Sequence, residues 1–185
     1  MEFTLHYRGE LKAKRGSKDK QLLRRHFHAQ LKILWQQIPL NGRKELLEKE
    51  PGDGEVSIIR TANGFDFAPF INEQLNLIAE LKITLLRPEP PGSIITQSGD
   101  IDNRLKTLFD ALKVPKESSA IPTGDTPAEG ETPFFCLLED DNLITKVSVE
   151  TDRLLYHCES SSEVVLLIHV TTKATRSSWA NIGLG

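Results

Sequence analysis

Phe3, Leu5 and Tyr7 alternate with polar neighbours, and this period of two predicts a short strand over residues 2–7. The period then changes. Leu23, Phe27, Leu31 and Leu34 recur at spacings of three and four, which predicts a helix from Gln21 to Gln37 with Pro39 helping to stop it. Alternation returns at Ala79–Arg87, where Leu81, Ile83 and Leu85 predict the strongest strand of the first half. A second helical stripe, Leu105, Leu108, Phe109 and Leu112, predicts a helix over Asp102–Val114. Three further strands are predicted at Phe134–Leu138, Ile144–Glu150 and Glu163–Thr171. The run Val164-Val165-Leu166-Leu167-Ile168 in the last of these predicts burial on both faces.

The intervals carry turn chemistry. Asn63-Gly64 lies between Val56–Arg60 and Phe65–Phe67, as in a hairpin. Asn41-Gly42 marks a turn, Lys44–Lys49 has room for one or two helical turns, and Pro51-Gly52-Asp53-Gly54 is a break. Residues 92–99 read as a polar loop. Residues 115–133 hold four prolines, two glycines and several Ser, Thr and Glu, which predicts an exposed, mobile insertion. Residues 172–185 read as a polar tail prone to fraying. The expected architecture is a single α+β domain over 1–185, with one mixed sheet of four or more strands packed by two main helices. Residues 1–78 form an expanded N-terminal part and 79–170 a core.

Composition adds bounds. The chain has 185 residues, 38% hydrophobic and 26% charged, long enough to bury a core without covalent staples. No apolar run approaches the ~18 residues of a membrane span. The opening Met-Glu-Phe-Thr-Leu-His-Tyr lacks the basic and apolar regions of a secretory signal, so a cytoplasmic location is expected. Cys136 and Cys158 have no CxxC spacing and are expected as free thiols. The net charge of −3 conceals an asymmetry. From Arg8 to Lys32 there are nine Lys or Arg against Glu10 and Asp19, a local charge of +7, so the remainder carries −10. Lys12, Lys14, Arg15, Lys18, Arg24 and Arg25 are candidates for gripping nucleic-acid phosphates, with a solvated basic helix as the plain alternative.

Two acidic clusters carry candidate chemistry: Gly99-Asp100-Ile101-Asp102-Asn103-Arg104-Leu105-Lys106, and Leu138-Glu139-Asp140-Asp141-Asn142. Asp100 and Asp102 are two apart where a loop becomes a helix, so both carboxylates can face one side. Lys106 lies one helical turn after Asp102. Asp140 and Asp141 close a strand and point in opposite directions. Carboxylates gathered in one place need a cation. Mg²⁺ takes oxygen ligands, activates water and neutralises charge on a phosphate under attack, and a lysine adds to that charge stabilisation. Each residue also has a structural alternative: a helix cap for Asp100 or Asp102, a surface pair for Asp102 and Lys106, and a turn for Asp140-Asp141-Asn142.

Taken together, Gly-Asp100-Ile-Asp102-Asn103-x-x-Lys106-x-x-Phe109-Asp110-Ala111-Leu112, followed by Glu139-Asp140-Asp141-x-x-Ile144, resembles the signature of the RusA family of Holliday-junction resolvases. The resemblance covers roughly residues 79–170. It implies a mixed α/β homodimer that cuts four-way DNA junctions in recombination and repair. It implies that Asp100, Asp102 and Asp141 bind Mg²⁺, with Mn²⁺ as a possible substitute, that Lys106 is the catalytic lysine, and that Asp140 matches the acid before the third aspartate. A RusA-like protein that holds branched DNA without cutting it is the alternative. The chain departs from the family in its 115–133 segment, where a short turn is usual, and in its long N-terminal part. Among other residues, His26 and His28 are expected at the surface and Trp35 in the core. Trp179 lies in the polar tail, with a stacking role considered for it, and Asp110 is read either as a partner of Lys106 or as a surface acid.

Overall fold

The computed structural model describes residues 1–11, 16–88, 101–158, 160 and 162–185. Its strands are β1 (Glu2–Glu10), β2 (Arg60–Ala62), β3 (Phe65–Ile71), β4 (Leu77–Arg87), β5 (Phe134–Leu138), β6 (Ile144–Arg153) and β7 (Glu163–Ala174). Its helices are α1 (Ser17–Leu34) and α2 (Ile101–Leu112), with short 3₁₀ turns at Leu40–Gly42 and Lys44–Leu47. The fold is α+β. The strands divide between two mixed sheets, where a single sheet was expected. One has the order β1-β7-β4-β6, with only the β4–β6 pair parallel. The other has the order β2-β3-β5, with β3 and β5 parallel. No described helix is long and apolar enough to cross a membrane.

The strong alternation of β4 does what its period requires. Leu77, Ala79, Leu81, Ile83 and Leu85 are buried on one side, and Ile83 sits beside Ile168 of β7, which in turn faces Leu5 of β1. Each buried leucine or isoleucine side chain contributes roughly 1.5–3 kcal/mol by leaving water. The expectation for β7 needs correction: Val164, Leu166, Ile168 and Val170 are buried, but Leu167 is 42% exposed. Only one face of this sheet meets the core, so β7 alternates despite its unbroken apolar run.

The small sheet is the one covered on both faces. All five residues of β5 are buried. Phe135, Leu137 and Leu138 join the main core with Leu23, Phe27 and Leu31 of α1. On the opposite face, Phe65, Phe67, Phe134 and Cys136 form a second cluster closed by Val114 and Ile121. The rings of Phe67 and Phe134 lie 5.3 Å apart, edge to face. The Asn63-Gly64 turn joins β2 to β3 with both residues at positive φ (52° and 82°), as a tight hairpin requires.

Two loose segments of the sequence reading are tied down. Residues 115–133 lie across the second cluster through Ile121. Arg25 of α1 holds them through Glu131 at 2.8 Å and Asp125 at 3.0 Å, and Lys32 donates to the Gly130 carbonyl at 2.7 Å. Their polar, proline-rich composition concealed one apolar plug and a few buried ionic anchors. The 172–185 tail folds back: Asn181 donates to the Leu75 carbonyl at 2.8 Å, Arg43 donates to the carbonyls of Trp179 and Ile182, and Leu184 is fully buried. Trp179 itself is 88% exposed, and Trp35 is core. His28 is buried rather than at the surface. Its Nδ1 accepts the Phe135 amide at 2.9 Å, and burial lowers its pKa. It follows Gln21 and Arg24 on a buried stripe of α1 whose polar residues disguised it. His26 is half-buried, its Nε2 2.8 Å from the His6 carbonyl oxygen. Cys136 and Cys158 are both free.

Candidate functional site

The candidate site is built along one face of α2. Asp102, Lys106, Asp110 and Lys113 follow at spacings of four, four and three, which keeps them on one side of a helix. The start of α2 is fixed by Arg104, whose buried guanidinium donates to the Leu11 carbonyl at the end of β1. Its far end is fixed by backbone: the Val114 amide donates to the Leu138 carbonyl at 3.0 Å, and Lys113 bridges Leu138 in parallel. This stitch sets the end of α2 beside the end of β5, where the second acidic cluster begins.

Asp102 and Lys106 are exposed, and among the described residues neither has an ion-pair partner. The surface pair that their spacing permits is not formed. The second cluster is the opposite case. Lys113 Nζ donates to Asp141 Oδ2 at 2.7 Å, and Lys116 forms an ion pair with Asp140. Asp140 also caps a 3₁₀ turn, its Oδ1 accepting the Asn142 amide at 3.0 Å, so the turn reading of this residue is realised. These contacts, the Lys116 bond first, hold the Asp140 carboxyl down at about 2, and Asp140 in turn raises the Lys116 pKa. Glu139 belongs to the fold: Arg60 binds it at 2.5 Å, and it accepts the Glu73 amide at 3.0 Å.

Asp110 is neither a partner of Lys106 nor an idle surface acid. It binds Lys20 of α1 at 2.6 Å and lies 3.8 Å from Lys113. Lys20, Lys106, Lys113 and Lys116 line a cleft of about 520 Å³ between α1, α2 and residues 115–120, with Arg24 also contributing. The hairpin turn supports the third wall, because Asn63 Nδ2 donates to the carbonyls of Pro115 at 3.0 Å and Glu117 at 3.2 Å.

The six basic residues expected to grip phosphates divide three ways. Lys12, Lys14 and Arg15 lie outside the described residues, as does Asp100. Lys18 is exposed. Arg24 and Arg25 are corrections to the expectation of free surface cations. Arg24 is buried and donates to the carbonyls of Ala120 and Asp110, both at 2.9 Å, and Arg25 holds the 115–133 segment. Lys113 and Lys116 were not proposed from sequence as site residues, Lys20 counted only within the basic Arg8–Lys32 run, and Asp110 was read only as a partner of Lys106 or a surface acid. Lys113 was within reach of the helical period, which continues from Asp102 through Lys106 and Asp110. Lys20 reaches α2 only through the tertiary packing of α1, which no sequence period reports.

A divalent cation needs carboxylate oxygens converging to within about 2.0–2.6 Å of one point. Among the described residues no three His, Cys, Asp or Glu side chains gather in that way. Asp140 and Asp141 already carry a lysine each. Asp102 stands roughly 16 Å of helix rise from Lys113. The described residues alone assemble no metal centre, and Asp100 of the expected ligand set lies outside them. No family model, curated protein or solved structure matches the chain in sequence or fold.

Proposed function

We propose that the chain is a RusA-like endodeoxyribonuclease that hydrolyses phosphodiesters at branched, four-way DNA junctions. The observation that supports this reading is the pair Asp102 and Lys106: one helical turn apart, exposed, and with no ion-pair partner among the described residues. An acid and a base left unpaired one turn apart add little to folding and are available to a substrate. The cofactor of this reading is Mg²⁺, with Mn²⁺ as substitute, and its acids are Asp100, Asp102 and Asp141. A homodimer suits a two-fold junction, because each copy meets one of two equivalent strands. A cytoplasmic location belongs to the same proposal.

The second reading is a protein that binds branched DNA without cutting it. The lysines on Asp140 and Asp141 favour it, since both carboxylates are already neutralised. One experiment separates the two. A synthetic four-way junction is incubated with Mg²⁺ and the wild type, Asp102→Asn or Lys106→Gln. Symmetric nicks from the wild type, with ~100-fold or greater loss in each variant at unchanged stability, are expected. Tight junction binding without nicks in Mg²⁺ or Mn²⁺ selects the second reading. Neither binding nor nicks rejects both.

A further inference from the structure

We propose that the cleft between α1, α2 and residues 115–120 is a phosphate-binding subsite for a nucleic-acid strand. The proposal takes the identity of that strand, DNA, from the nuclease reading. α1 and residues 115–120 form two of the three walls, and neither carries the acidic motif.

The lining selects the ligand. Lys20, Arg24, Lys106, Lys113 and Lys116 face only Asp110 and Glu117 inside the cleft. No aromatic side chain lines it, so a base finds no ring to stack on, and an apolar ligand would strip water from the ammonium groups. A volume near 520 Å³ is ample for a phosphate with its adjoining sugars. The group that suits several converging ammonium ions and no ring is an oxyanion.

The cations are held in place. Arg24 is 2% exposed; its two terminal nitrogens bond Gln21, Ala120 and Asp110, and its Nε has no hydrogen-bond partner. Its guanidinium is therefore a fixed charge, and although burial lowers its pKa to about 10 it stays protonated at neutral pH. Asp110 holds Lys20 at 2.6 Å and stands 3.8 Å from Lys113, so one carboxylate positions cations from both helices. Lys106 has no ion-pair partner among the described residues. Lys113 and Lys116 reach the cleft while bound to Asp141 and Asp140, which joins this subsite to the second acidic cluster.

The test omits metal, so it does not depend on cleavage. In EDTA, a 3′-labelled single-stranded DNA oligonucleotide, with or without a 5′-phosphate, is titrated with wild type and with Lys113→Gln/Lys116→Gln, and anisotropy is read over a range of salt. The double variant should bind at least ~10-fold more weakly, with a salt slope lower by roughly one and a half, as expected when two phosphate contacts are lost. Equal binding of both wild-type probes assigns the subsite to backbone phosphate, and preference for the phosphorylated probe assigns it to a terminal phosphate. Unchanged affinity and slope in the double variant overturns the proposal. Should that variant not fold, inorganic phosphate is titrated into the wild type while amide resonances are recorded. Shifts at Lys20, Lys113 and Lys116 support the subsite, and their absence overturns it. A chain that cuts no DNA can still pass this test, and an active nuclease whose double variant binds normally fails it alone.

Discussion

The start of α2 and the end of β5 both present aspartates, and the fold treats them in opposite ways. Asp102 is exposed with no described partner. Asp140 and Asp141 each carry a lysine, and Asp140 also closes a turn. The contrast teaches where acidity is structural and where it is available. A clasped carboxylate has its role explained by folding. An unclasped one in the same stripe of charge needs another explanation, and in the proposed reading that explanation is the substrate.

Perturbation should keep the two regions apart. The largest effect is expected from Leu138→Ala, which hollows the fully buried strand end beneath the clasped pair. Urea denaturation should show a loss of about 2–5 kcal/mol, and a loss under 1 kcal/mol would mean that β5 is not anchored as described. Arg25→Met should come next, at about 1–3 kcal/mol, because it strands Glu131, whose side chain is only 10% exposed. It should also open residues 115–133 to proteolysis; protection equal to wild type would refute the anchor.

Asp140→Asn should cost less, about 1 kcal/mol at neutral pH, because Lys116 is 67% exposed and water screens the pair. Its sign follows from the depressed pKa. The folded carboxyl titrates near 2 and the unfolded one near 3.8, so the stabilisation is complete above 3.8 and disappears as pH falls toward 2. The gap between wild type and variant in urea melts should therefore close over that window, and a gap independent of pH would contradict the ion pair. Asp102→Asn should be the smallest, within ~0.5 kcal/mol, since it breaks no described contact. A larger destabilisation would show Asp102 to be a structural residue and remove the contrast.

Much of the frame was readable in the sequence because it follows from local periods. The alternation in β4 and the stripes Leu23–Phe27–Leu31 and Leu108–Leu112 locate strand and helices by side-chain geometry alone. The Asn63-Gly64 hairpin is equally local, since few residue pairs tolerate two positive φ angles. What stayed hidden depends on pairing across the chain. No period distinguishes two sheets from one, so the small β2-β3-β5 sheet was not anticipated. Ile121, one apolar residue among prolines and serines, gives no pattern, yet it plugs the segment into the second cluster. Arg24 and His28 looked like members of a basic surface and instead lie on the buried stripe of α1. At the site, Asp102, Lys106 and the Asp140-Asp141 pair were visible as motif, whereas the lysines that neutralise that pair were not.

The hydrogen bond from Val114 to Leu138 has a mechanical consequence. It fastens helix and strand just where Lys113 and the second acidic cluster emerge, so neither can slide without the other. Thermal motion reaching Asp141 is thereby filtered by a strand whose five residues are all buried. The amide of Val114 should exchange with deuterium only on the timescale of global opening, while the first-turn amides around Asp102, which have no intrahelical acceptor, exchange faster.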